Sequence, residues 1–179
     1  VPFEVGDVVV RRLDDEHWAV VEPLAYRGKW DRFVVPAGFV TDFATVPRVV
    51  VWLVPRFGRY TAAAILHDWL VTEGIAGGVV TARQADGIFR RVMRESGVPV
   101  VRRWLMWCGV RWGAFGDPVR GKGWWISAPG VLAISLLAAP VVVPPAVLIA
   151  AALLVYGVVE RAVGVLTGSP TQDAGSFRT

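Results

Sequence analysis

Apolar and polar positions alternate through the first forty or so residues. Segments 7–13, 18–26 and 32–36 are rich in Val, Phe, Trp and Tyr, and polar stretches at 14–17 and 27–31 separate them. This pattern predicts short strands joined by hairpin loops. Such connections are too short for parallel crossovers, so the sheet is expected to be antiparallel. The period then changes. From Thr61, residues Ala62, Ala63, Ile65, Leu66, Trp69 and Leu70 fall on one arc at helical spacing, with Thr61 as N-cap and Gly74 as terminator. Thr81-Ala82-Arg83-Gln84 has the form of a capping box, opening a second helix that turns Ala85, Ile88, Phe89, Val92 and Met93 inward. Gly97 and Pro99 precede a third helix over 100–114, carrying Trp104, Trp107 and Trp112.

Beyond the Gly116-Asp117-Pro118 turn the pattern stops. From Gly123 to Val159 there is no charged residue, while Pro140 and Pro144-Pro145 interrupt the run near its middle. A bilayer span takes about 20 apolar residues, so residues 124–166 suffice for two. The expectation is an α+β protein: a small antiparallel sheet followed by three or four helices, plus a C-terminal transmembrane helical hairpin. A single span over 146–166 with an interfacial segment before it is the alternative. The domain plan is 1–116 for the α+β domain, 117–123 for a linker, 124–166 for the hairpin and 167–179 for a polar tail. The soluble alternative, a buried helical hairpin, is weaker because so small a domain offers too little surface to cover it.

Composition agrees. Apolar residues make up 54% of the chain and charged residues 19%, against about 45–50% and about 25% in ordinary soluble domains. The net charge of +4 is scattered or gathered beside the apolar run rather than drawn into one stripe, so nucleic acid is not an expected partner. Arg120 and Lys122 before the run and Arg161 after it place both ends on the cytoplasmic side of the inner membrane. A virion component is the alternative location. Cys108 is the one cysteine, which excludes an internal disulfide. The first residues, Val1-Pro2-Phe3-Glu4, lack the basic and apolar regions of a signal peptide.

Chemistry gathers in three places. Thr41, Asp42 and Thr45 lie in 36–48, His67-Asp68 interrupts an apolar helix, and Asp86 sits at the rim of the next one. The blocks Gly38 to Arg48, Ala63 to Leu70 and Arg83 to Phe89 resemble, in order, the signature blocks of a phage and prophage family known as domain of unknown function 1353. The resemblance covers about the first 115 residues. It implies a phage or prophage origin and a small α+β domain, and brings no activity with it; the apolar tail departs from the family's compact form.

One imidazole and three carboxylates, His67, Asp42, Asp68 and Asp86, form the candidate catalytic set. As mixed nitrogen and oxygen donors they are also the candidate ligands of a divalent metal ion. A metal-assisted hydrolase follows from that reading, with water as nucleophile; without metal, His67 could act as general base. No Ser or Cys nucleophile motif accompanies them. A phosphohydrolase pattern of His17, His67-Asp68 and Asp86 is rejected, because His17 falls in a hairpin loop rather than on a helix. The competing reading is structural: Asp42 and Thr45 cap a turn, Asp68 pairs with Arg48 or Arg83, and Asp86 is a first-turn acid favoured by the helix dipole. On that reading the protein is a non-enzymatic accessory of assembly, entry or lysis, with membrane and other phage proteins as partners.

Overall fold

The computed structural model describes residues 3–4, 8–43 and 46–168. Thr45, most of the polar tail and the start of the first predicted strand lie outside the described residues. The chain divides into two compact units, one of Val1–Ala44 with Arg56–Leu136, the other of Thr45–Pro55 with Leu137–Thr179.

The first unit is α+β. Strands β1 (Val10–Arg12), β2 (Trp18–Val20) and β5 (Val40–Thr41) form one antiparallel sheet in the order β1-β2-β5, and β3 (Leu24–Arg27) pairs with β4 (Arg32–Val35) in another. The predicted strand 18–26 is thus two strands. Residues 21–23 carry Glu22 and Pro23, and Pro supplies no ladder N–H, so the chain leaves one sheet and enters the other there. His17 lies in the exposed β1–β2 loop, its Nδ1 3.0 Å from Asp14.

Helix α1 (Thr61–Trp69) continues as a π turn, Leu70–Gly74, and helical backbone runs on through residues 75–76, two past the predicted terminator. Its N-cap is Tyr60, and the Thr61 hydroxyl accepts from the Gly58 N–H at 2.9 Å. Helix α2 (Ala82–Glu95) opens with the Thr81/Gln84 capping box in full, and α3 (Val100–Ala114) follows. Tyr26 Oη donates to Glu95 at 2.8 Å and Arg91 pairs with Asp31, fastening α2 to the β3–β4 hairpin. Tyr26, Val35, Ile65, Leu66, Val92 and Met93 are almost wholly buried in this core.

The apolar run forms one helix, α4 (Trp124–Thr167), of 44 residues. The predicted hairpin is not formed: helical backbone continues through Pro140, Pro144 and Pro145. Each proline removes one helical N–H and crowds the preceding turn, but leaves φ at a helical value. The division between units falls within α4. Its first turns belong to the first unit, where Trp124, Ala128 and Val131 pack with Cys108 and Ala114 of α3. Its most apolar 18-residue window has a mean hydropathy of 2.4 and is only 6% buried. The second unit also holds the short 3-10 turn Arg48–Val50.

Candidate functional site

The four candidate side chains divide into two neighbouring groups. In the first, His67 on α1 faces Asp86 on α2, with Nε2 2.7 Å from Oδ1. The other carboxylate oxygen of Asp86 accepts from Arg111 Nη1 of α3 at 2.8 Å. Arg111 Nε donates to Ser127 Oγ at 2.9 Å, and the Arg111 carbonyl accepts from Trp124 Nε1 at 2.6 Å. His67, Asp86 and Arg111 are all buried. Burial alone would raise the Asp86 carboxyl, yet His67 and Arg111 together hold it below its ordinary value. The carboxylate is therefore the ionised acceptor, which fixes the proton of His67 on Nε2. Phe89 lies beside the imidazole, 4.7 Å between ring centroids.

This chain joins α1, α2, α3 and the root of α4. Arg111 is the residue that sequence reasoning missed. It sits three residues after Cys108 and three before Ala114, both buried, so a cation fell on the apolar stripe of α3. A charge at such a position requires a buried partner. Asp86, in turn, is a buried ion-pair acceptor rather than an acid capping its own helix.

The second group is built around Asp68. Its half-buried carboxyl is raised above its ordinary value first by desolvation and also by the negative charge of Asp42; a hydrogen bond from Thr41 and the charges of His67 and Arg120 oppose the shift. Asp42 is half-buried as well. The segment that carries it is strained: Phe43 has φ of 67°, a conformation that costs a non-glycine residue roughly 1–2 kcal/mol. Phe43 donates its N–H to Thr41 Oγ1 at 2.9 Å, and its ring is buried against Trp18 and Phe57, with centroids 4.9 and 5.1 Å away. That aromatic packing holds the strained turn. Thr41 thereby links the turn to Asp68, a role the sequence gave little sign of beyond its place next to Asp42.

The structure thus brings His67 against Asp86 and Asp42 within electrostatic reach of Asp68. It does not gather all four into one cage. Among the described residues, no group of three or more His, Cys, Asp and Glu side chains is arranged to hold a metal ion. Two of the four carboxylate and imidazole groups, Asp86 and Nε2 of His67, already spend their binding capacity on each other and on Arg111.

Comparison with known proteins adds a family and no reaction. A family model described as protein of unknown function (DUF1353) matches residues 18–110. No curated protein and no solved structure matches.

Proposed function

Since the chain belongs to DUF1353, a family of proteins of unknown function, its membership carries no reaction, and we propose one from the site itself: a membrane-tethered hydrolase of phage or prophage origin, with Asp68 and Asp42 as its acid–base pair. The observation that carries the reading is the Asp68 carboxyl, raised by desolvation and by Asp42 while still reachable from solvent. Such a group keeps its proton to higher pH than an ordinary carboxyl, the direction that suits a general acid. Asp42 supplies the second carboxylate, positioned by a strained turn of the kind that clusters at functional sites.

On this reading Asp68 protonates the leaving group and Asp42 takes the proton of the attacking water. His67 and Asp86 are positioning residues, because their bond and the Arg111 pair fix the turn of α1 that presents Asp68. In a metal-dependent version of the reaction Asp42 and Asp68, both ionised, would instead hold a divalent ion, with water completing its coordination. This is the manner of hard cations that keep most of their hydration.

The membrane part of the proposal rests on α4. At about 1.5 Å per residue, its 44 residues reach roughly 66 Å, about twice the ~30 Å hydrocarbon thickness. As one continuous helix it is long enough to cross once over 146–166 with its preceding part at the interface, and Arg120 and Lys122 agree with a cytoplasmic α+β domain. The second reading, an accessory protein with a structural polar network, is favoured by the His67-Asp86-Arg111 chain, which is fully explained by packing of the helices.

The test is a hydrolysis screen of the full chain in detergent micelles, with chromogenic carboxylic and phosphoric esters and amides, with and without Mg²⁺ and Mn²⁺. Any activity found should fall at least about a hundred-fold in both Asp68→Asn and Asp42→Asn, the scale of one lost acid or base. Activity equal to wild type in both folded variants would contradict the assignment, and inactivity of the wild type across the screen would favour the accessory reading.

A further inference from the structure

One face of α2 carries Gly87, Arg90, Arg91 and Arg94 at helical spacing, and together with Arg103 and Trp104 of α3 they line a cavity of about 350 Å³ that includes none of the four candidate residues. Four arginines thus line it. Arg91 is balanced by Asp31, whereas among the described residues no carboxylate forms an ion pair with Arg90, Arg94 or Arg103. Clustered, partly buried and uncompensated like charges are costly, and the cost is visible at Arg90, which is held below its ordinary value by desolvation and then by Arg103 and Arg94. Arg90 Cζ also lies over the Trp104 ring, 4.1 Å from its centroid, with the Trp107 ring at 5.7 Å. A guanidinium stacked by its face keeps the N–H fork along its edge available for an anion.

Gly87 adds to the picture. Glycine inside a helix costs about 1 kcal/mol relative to alanine, and a Cβ built there would meet nothing within 4 Å. No packing demand requires the glycine; what it leaves is space in the cavity wall. Trp107, the second ring beneath Arg90, packs against the cluster of Trp124, Ala128 and Val131 at the root of α4.

We propose that this arginine-lined cavity is a binding site for a phosphate-bearing anion, with the phosphate oxygens on Arg90, Arg94 and Arg103, the last of which keeps Nη1 on the Val98 carbonyl at 3.4 Å and offers its other N–H groups. The same chemistry is offered by an acidic phospholipid headgroup and by a soluble phosphate compound. The headgroup source rests on the membrane reading given above, while the phosphate site itself does not.

The experiment uses the full chain in phosphatidylcholine nanodiscs. Inorganic pyrophosphate is titrated into one sample while calorimetric heat and the summed tryptophan fluorescence are followed. In parallel, the chain is exchanged into discs carrying phosphatidylglycerol. Saturable, salt-sensitive binding of either probe is expected, weakened about ten-fold or more in Arg94→Glu, which reverses an exposed charge, and in Gly87→Leu, which fills the cavity without removing a charge. Arg11→Gln, on an exposed strand away from the cavity, should bind as wild type does. A response to phosphatidylglycerol alone assigns the headgroup as the source, and a response to pyrophosphate assigns the phosphate group as sufficient. Failure of both probes to bind, or binding by Arg94→Glu and Gly87→Leu equal to wild type, would overturn the proposal.

Discussion

At the scale of single residues, two aspartates have opposite relations to stability. Asp86 is held below its ordinary value by His67 and Arg111 against the pull of burial. Its folded value lies below its unfolded one, so its contribution is complete above the unfolded carboxyl value of about 3.9 and is lost as pH falls through the folded value. Asp86→Ala should cost about 3–5 kcal/mol in denaturant unfolding at neutral pH, because it leaves Arg111 buried without its anion; the variant should also lose part of the wild type's acid sensitivity. Asp68 is raised instead. In its case the folded state binds the proton more tightly, so the ionised carboxylate opposes folding above its folded value, and that opposition disappears once pH drops below the unfolded one. Asp68→Asn is therefore expected to raise Tm at pH 7 by roughly 2 °C, the scale of a gain of about 0.5–1 kcal/mol in a chain of this size, with the gain fading in acid. A variant more stable and less active than wild type would mark Asp68 as a functional group, whereas a lowered Tm would mark it as structural.

At the scale of elements, α2 gives two clean expectations. Thr81→Ala removes the side chain that accepts from Gln84 N and faces its amide, and should cost about 1 kcal/mol. Gly87→Ala has room for its methyl group and should gain up to about 1 kcal/mol from helix propensity; chemical denaturation measures both. The elements themselves were largely legible. Capping box, helical spacing and turn residues are local signals, and α2 follows them from Thr81 to Glu95. Two features were not legible, for related reasons. The split between β2 and β3 depends on which sheet each strand joins, and no local sequence signal marks the π turn at Leu70–Gly74. The site behaved likewise. His67, Asp86, Asp68 and Asp42 stood out as polar residues in apolar settings, yet their division into two groups was decided by Arg111, a residue 25 positions from Asp86 that no local pattern connects to it.

At the scale of the whole molecule, the open question is what solvent α4 meets. An apolar helix of 44 residues, with 6% of its most apolar window buried, exposes a far larger apolar surface than soluble monomers carry. A bilayer accounts for that surface and for the lack of charge between Gly123 and Val159. Length and charge also connect the site to its setting, since the network from His67 through Asp86 and Arg111 ends on Ser127 and Trp124, in the first turns of the same helix. A disturbance at the root of α4 would thus be felt at the turn that presents Asp68. The most direct measurement is the partition of the full chain in cells between membrane and soluble fractions, followed by alkaline carbonate extraction of the membranes. The account predicts that the chain sediments with membranes and stays there after extraction. Recovery of the full chain in the soluble fraction without detergent would contradict it.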